Sequence, residues 1–402
     1  MKMGDDRMSE AYYTYNEYWL EKFIYQNTIT QNVTSYSAKV DANVGKFKLG
    51  CHYTFTRSNR DINFSWAPGY MEWSNFIYNE NVLSVYAEYS GKWGDKLSFN
   101  LGGRYEHTWT KGYRLSKVDD NAHHTEYGRF FPSLSIGYQP HRDHSLNWNL
   151  SSRITRPNVI NVNPDTLCND IYHNTWGNPD LKPTYLYKTM MGYTYKGVLS
   201  FDLYYAYEPN RMTQVSIIGG TEATFSTWDN VVDQQDLGIN SFYYFDRLKW
   251  MNAILMQGVC WNRTTGDGQR TLTDIEGWSY TGVLQTSFFF DRDRKWTANL
   301  NVTYSSPEKD VTKTLDARYM IDAGLQYRFW KDRLTIGLTC RNLFASRISG
   351  TEYLGTTAMD FDNKFNYRQL RLTLTYNWGA KLRQSHRQYQ SDEMKERVIN
   401  DF

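Results

Sequence analysis

The chain has 402 residues and a formal net charge of only +2, with 33 Tyr, 14 Trp and 20 Phe making 17% of it aromatic. The charge balance excludes a nucleic-acid footprint or an acidic tail, and the aromatic content excludes a disordered chain, because such chains are poor in aromatics. The length suits two or three soluble domains or one large β-structure.

The opening residues, MKMGDDRMSEAYY, lack the apolar stretch of a secretory signal. Either the protein is not exported or its true N-terminus lies upstream. Residues 1–32 read as a loop or an incomplete strand. No run in the chain approaches the roughly 18 to 20 apolar residues of a membrane-spanning helix.

From residue 33 the pattern changes to strict alternation. Phe47, Leu49, Cys51, Tyr53 and Phe55 face away from Lys48, Gly50, His52 and Thr54, because a period of two sends neighbouring side chains to opposite faces of a strand. Leu97, Phe99, Leu101 and Tyr105 alternate with Ser98, Asn100, Arg104 and Glu106, and Leu146, Trp148, Leu150 and Ile154 with Asn147, Asn149, Ser151 and Arg153. The same pattern runs through WTANLNVTY, IDAGLQYRF and LTIGLTCRN, and ends in QLRLTLTYNW at 369–378. In 182–195 and 250–261 the alternation does not separate the two faces.

Connections alternate in length. Short ones fall near Gly45 and at 91–96, 139–144, 196–198, 246–249, 291–295 and 330–333. Long ones rich in Gly, Asn, Asp and Pro fall at about 57–78, 115–128, 156–181, 211–224, 264–277, 305–317 and 345–365. Tight turns at one end and long loops at the other mark an up-and-down antiparallel meander, and match the asymmetry of outer-membrane barrels.

Aromatics decide which face is outside. Trp93, Tyr138, Trp250, Trp296, Trp330 and Trp378 fall within a few residues of the short turns or the final strand end. Amphipathic rings favour the headgroup level of a bilayer, so these residues are read as an aromatic girdle. Many strands reach 11 to 15 residues, where spanning at a tilt takes about 9 to 11. The apolar face then meets lipid and the polar face a wet lumen. The fold class is all-β: an antiparallel transmembrane β-barrel of about fifteen strands over 33–379, followed by a polar tail at 380–402. An odd count ending in a downward strand predicts a chain that begins partway round a larger, incomplete barrel.

NENVLSVYAEYSGKWGDKLSFNLGGRYEHT, FFPSLSIGYQP, SSRITRPNVINVNPD and WGNPDLKPTYLYKTMMGYTYKG resemble the barrel domain of TonB-dependent outer-membrane receptors. More narrowly, they resemble outer-membrane β-barrel proteins with a carboxypeptidase-regulatory-like N-terminal domain. The resemblance runs over about 33–379. Its most specific positions are Arg153, Arg156, Pro157, Asn163, Pro164, Gly177, Asn178, Pro179, Leu181, Lys182 and Pro183. It implies a barrel of about 22 strands around a plug, importing a scarce ligand with energy from the inner membrane. The plug, the preceding strands and the TonB-contacting segment lie outside this stretch. Expected partners are outer-membrane lipid, the plug and strands just named, TonB only through that plug, and a surface lipoprotein.

Within the 163–183 loop, Asn163, Asp165, Asn178, Asp180 and Lys182 are the candidate ligand contacts, beside a structural reading as a loop folded over the rim. Asn-Pro and Gly-Asn-Pro pairs favour an ordered loop. His123 and His124 are adjacent, and on an extended chain they point opposite ways with no third ligand nearby, so no metal site or other cofactor is expected. Arg104, Glu106, Arg153, Asp202, Asp322, Arg328, Arg341 and Arg371 lie on polar faces and furnish a charged lumen wall. Four cysteines at 51, 168, 260 and 340 show no metal spacing, and Cys51 and Cys340 read as small hydrophobes of the apolar face. No nucleophile–base constellation or phosphate loop suggests an enzyme. A plug-free porin, a surface adhesion or binding module, and a soluble all-β binding protein are the competing readings.

Overall fold

A computed structural model describes residues 2–11, 14–15, 18–19, 23–67, 70–116, 121–168, 173–218, 224–272, 274–330, 333–354, 357–364 and 368–378. The expected tail at 380–402 lies outside the described residues. Sixteen antiparallel strands form one meander. The first eight are β1 Lys2–Ala11, β2 Phe23–Val44, β3 Phe47–Ala67, β4 Tyr70–Trp93, β5 Leu97–Ser116, β6 Asn121–His141, β7 His144–Thr155 and β8 Thr184–Tyr195. The remainder are β9 Leu199–Ile218, β10 Thr224–Leu248, β11 Met251–Thr265, β12 Asp274–Phe289, β13 Trp296–Ser305, β14 Arg318–Phe329, β15 Leu334–Arg341 and β16 Gln369–Tyr376. Each pairs with the next, from β1–β2 through β7–β8 to β15–β16. The all-β meander is therefore as the alternation predicts. Fifteen of its strands run from β2 onward, and β1 lies in an opening stretch where no alternation marks it. No residue register joins β16 to β1 among the described residues, so the sheet is not closed.

Register aligns the apolar sets across strands. Leu372 of β16 stands opposite Leu338 of β15, which stands opposite Leu325 of β14, which meets Ala298 of β13. One row above the short turns, Leu374, Ile336, Tyr327 and Trp296 repeat the match. A one-residue slip would turn every one of these side chains to the other face. Register also settles the two ambiguous segments. Met191 and Tyr193 stand beside Trp148 and Leu146 on the outer face. In β11, Leu255 and Val259 are outer, while Ile254 and Met256 sit opposite Tyr244 and Phe242 on the inner face. Both faces of β11 are apolar there, and that is why the alternation fails.

Short turns fall where the sequence places them. Gly45 and Gly94 hold them with φ of +60° and +62°, a region that glycine enters without steric penalty. At 291–295 the Asp291 carboxylate accepts from the amides of Trp296 at 2.7 Å and Lys295 at 3.0 Å. Those bonds hold the Asp291 carboxyl below the usual carboxylate range and fix Trp296 at the strand start.

Three of the expected long loops are not loops. At 57–78, 115–128 and 211–224 the strands continue, leaving only 68–69, 117–120 and 219–223 undescribed between them. β2 to β6, β9 and β10 consequently have 20 to 25 residues, about twice what a bilayer crossing needs. Beyond the apolar band the two faces no longer divide into apolar and polar, with Ile62, Phe76 and Val215 buried there among polar neighbours, so alternation vanishes while the backbone ladder continues. Asn75 on β4, for example, donates to Asn59 on β3 at 2.7 Å.

The edge strand offers a test of the face assignment. Leu372→Arg places a charge on the lipid face and should destabilise by roughly 2 to 4 kcal/mol, whereas Thr373→Arg meets the wet lumen and should change little. Unfolding free energies of the protein refolded into lipid measure the difference, and equal values for the two variants contradict the assignment.

Candidate functional site

The irregular segment between β7 and β8 folds against the inner wall. After Thr155 the chain leaves the sheet through Arg156 and Pro157 and makes one short helix, α1 Val159–Val162, capped by the Asn158 side chain accepting from the Asn161 amide at 2.8 Å. Val159, Val162 and Leu181 are buried against Phe76 of β4, with Tyr78, Met212 and Trp228 around them. A crevice of about 20 Å³ remains between this segment and β4 to β6, lined in part by His123, Tyr127, Pro157 and Pro179. That is room for about one water and no ligand.

The family-resembling residues form one hydrogen-bonded unit. The Asn163 amide donates to the Val159 carbonyl at 3.0 Å, and the Gly177 and Asn178 amides donate to the carbonyls of Asn163 and Asn161 at 2.7 and 2.6 Å. The Asn163 side chain accepts from the Asp165 amide at 3.0 Å, and that of Asn178 from the Asp180 amide at 3.0 Å. Gly177 has no alternative: a Cβ there would lie 2.5 Å from the Ile160 carbonyl oxygen and 2.6 Å from the Asn163 backbone. Pro157 and Pro183 are buried, and Pro164 and Pro179 half-buried.

Charges clamp the unit to the wall. Arg156 bonds Glu106 of β5 and donates to Thr108 Oγ1 at 3.2 Å, and Arg104 reaches the same Glu106 at 2.7 Å. Arg114 donates to the buried Asp165 at 2.6 Å. Removing one partner of such a buried pair leaves an uncompensated charge, at about 3 to 5 kcal/mol. Lys182 is tied down through its backbone, whose amide donates to Asn230 Oδ1 at 2.7 Å and whose carbonyl accepts from Asn230 Nδ2 at 2.9 Å.

Of the five candidate ligand contacts, Asn163 and Asp165 are buried within this unit, Asn178 is half-buried, and Asp180 and Lys182 are exposed. Arg153 is exposed on the inner face of β7. Asp180 reaches His123 Nε2 at 3.6 Å, while His124 Nδ1 lies 2.8 Å from the Thr110 carbonyl oxygen. The two histidines thus serve different neighbours, and no cluster of three metal-ligating side chains occurs among the described residues. Of the girdle residues, Trp93, Trp250, Trp330 and Trp378 are strongly exposed at the short-turn end, with Tyr138 and Trp296 less so. Cys51, Cys260 and Cys340 are free thiols.

Two networks at the opposite end have no signal in the sequence beyond an Asp-Gly turn. The Asp267 carboxylate accepts from the amides of Gln269, Arg270 and Thr271 at 3.1, 2.9 and 3.2 Å, and Arg270 donates onward to Asp229 of β10 at 2.5 Å. Arg211 of β9 joins Asp310 at 3.0 Å. Nearby, strands Glu308–Lys309, Lys313–Leu315, Arg347–Leu354 and Thr357–Lys364 form a separate four-stranded sheet. The expected loop at 345–365 is therefore largely strand, while that at 305–317 carries two short strands between irregular stretches.

Gly177→Ala should detach the 156–183 unit from the wall. Limited chymotrypsin digestion should then cut after Trp176 or Leu181 much faster than in the wild type, and unchanged digestion contradicts the packing described. A second expectation concerns pH. Burial pushes the Asp267 carboxyl up, but the Arg270, Gln269 and Thr271 amides and the Arg270 guanidinium outweigh it and hold it at about 2. A depressed carboxylate stabilises fully above its unfolded value near 3.9 and loses that contribution as pH falls towards about 2. Protection factors of the 266–272 amides, referred to the intrinsic exchange rate at each pH, should hold down to about pH 4 and drop below it, and Asp267→Asn should abolish that dependence.

Among the described residues no helix is long and apolar enough to cross a membrane, which says nothing of strands that do. By structure, the chain is similar to the ferric yersiniabactin uptake receptor FyuA from Yersinia pestis at 12% identity and a TM-score of 0.58, covering 90% of this chain and 60% of that one. The copper transporter OprC gives 11% and 0.61, covering 85% and 56%. The siderophore receptor PiuA from Acinetobacter baumannii gives 14% and 0.58, covering 88% and 56%. The chain thus spans a little over half of the length of each. At such identities the likeness shows the fold. A search of curated proteins finds no match. The family model described as outer membrane protein beta-barrel family matches residues 2–376, and the chain belongs to that family as an integral outer-membrane β-barrel.

Proposed function

We propose that this chain is the barrel wall of a TonB-dependent uptake receptor and imports a scarce ligand when joined to a lumen plug. The observation that carries the reading is the 156–183 unit, an ordered loop that turns inward and is clamped to the polar wall by Arg156–Glu106 and Arg114–Asp165. A wall already carrying a fixed inward structure and many charges suits an occluded lumen more than an open pore. In this reading the long arms and the four-stranded sheet face outward and gather ligand. The short turns and the aromatic girdle, Trp93, Tyr138, Trp250, Trp296, Trp330 and Trp378, lie at the periplasmic interface. Asp180 and Lys182 are the exposed side chains of the loop from which ligand contact is proposed. The uptake receptors that share the fold lend support, and energy from TonB would enter through the plug. No catalytic role is part of the proposal.

A plug-free pore fits less well, because a bilayer tolerates no open sheet edge and both edges lack registered partners among the described residues. The test is cross-linking in intact cells between TonB and the protein in its outer-membrane form. A specific adduct, lost when the plug's TonB-contacting segment is deleted, is expected. Absence of any adduct while the protein still passes small solutes would establish the pore.

A further inference from the structure

We propose that the outer face of β6 to β10 binds one diacyl phospholipid of the periplasmic leaflet. The proposal rests on the orientation given above, with the short turns at the periplasmic surface. Three observations carry it. The first is a groove of about 380 Å³ on the lipid-facing side, lined by Tyr138, Leu146, Trp148, Met191, Leu203 and Ile239. Its size matches ordinary ligand sites of about 300 to 1,000 Å³, and its lining suits an acyl chain. Trp148 donates its indole N–H to Thr189 Oγ1 at 2.9 Å, so the ring keeps its polar atom satisfied while its face lines the groove.

The second is the direction of the groove. Tyr138, Leu146 and Tyr193 stand at its short-turn end, and Met191, Leu203 and Ile239 continue it towards mid-height. A chain lying in it would start at the headgroup level and run inward. At the mouth, His144 lies tilted against Tyr195 with ring centres 5.1 Å apart and shares a 2.8 Å hydrogen bond with the Tyr193 hydroxyl.

The third is charge. The Lys196 amide donates to the Asp143 carbonyl at 2.7 Å, locking the β6–β7 and β8–β9 turns side by side directly below the groove. They bring His141, Arg142, His144 and Lys196 together against one carboxylate, Asp143, which reaches Lys196 Nζ at 3.7 Å and His141 Nδ1 at 4.0 Å. Arg142 is exposed and has no ion-pair partner among the described residues. The next turn adds Arg247 and Lys249 against Asp246. An excess of cations at the end of an apolar groove fits a phosphate joined to acyl chains.

Native mass spectrometry of the protein purified from outer membranes in mild detergent, titrated with palmitoyl-oleoyl phosphatidylglycerol, tests this. One lipid should bind per chain. Met191→Trp, which fills the groove, should reduce that adduct at least tenfold, and so should Arg142→Glu, at an exposed side chain outside the ion pairs of the turn. Leu338→Trp, on the same apolar face but away from the groove, should not. Equal lipid binding by the wild type and both groove variants would overturn the proposal. So would a retained lipid A, or a dimer of this chain in place of the lipid adduct. Protease cleavage at 291–295 in intact cells would instead overturn the orientation, whatever the lipid count.

Discussion

In hydrocarbon, a peptide group without a hydrogen-bond partner costs several kcal/mol, and the rest of this structure follows from meeting that constraint with strand ladders. Each strand must pair on both sides through the depth of the bilayer. Pairing fixes register, and register fixes which side chains share a height. The rows Ala298–Leu325–Leu338–Leu372 and Trp296–Tyr327–Ile336–Leu374 are the visible result. The first is aliphatic and the second begins the aromatic zone towards the turns. Side-chain chemistry changes with height because the surroundings do.

The same constraint explains where irregular backbone is allowed. The segment from Arg156 to Pro183 leaves the meander over most of its length, rejoining the sheet where His173–Thr175 runs parallel to Thr224–Ser226 of β10, and much of its bonding is internal. Its amides find Val159, Asn161 and Asn163 carbonyls, its side-chain amides cap its own turns, and its two buried ionic contacts go to inward-facing residues of β5. Gly177 allows the chain to pass within van der Waals contact of the Ile160 and Asn163 backbone. A loop built in this way is a fixed part of the wall, and a partner in the lumen would meet a rigid surface.

The apolar–polar alternation of β3, β5, β7 and β13 to β16 was legible in the sequence because lipid on one side and water on the other impose a period of two. Elsewhere it failed, or sequence carried no signal at all, for physical reasons. In β11 the inner face carries Ile254 and Met256 beside Phe242 and Tyr244, so no polar face remains to mark the strand. In the arms above the bilayer the two faces no longer divide into apolar and polar, and polar runs such as SNRDIN looked like loops while their backbones continued the sheet. The Asp267–Arg270–Asp229 and Arg211–Asp310 contacts join residues 41 and 99 positions apart or close short turns, distances over which composition carries no signal. The resemblance to receptor barrels singled out the loop from Arg156 to Pro183, which the structure shows as one packed unit. It could not separate residues buried in the loop's own structure, Asn163 and Asp165, from those left exposed, Asp180 and Lys182.

The central claim is that one face of every strand meets lipid and the other water. Single spin labels placed in turn at 369 to 378, in a background with the four native cysteines replaced, measure it directly in the protein reconstituted into a bilayer. Oxygen, which concentrates in hydrocarbon, should relax labels at Leu370, Leu372, Leu374 and Tyr376, and a water-soluble nickel chelate should relax those at Arg371, Thr373, Thr375 and Asn377. The two accessibilities should oscillate out of phase with a period of two. Oscillation in phase, or nickel reaching the leucines as readily as the threonines, would contradict the account.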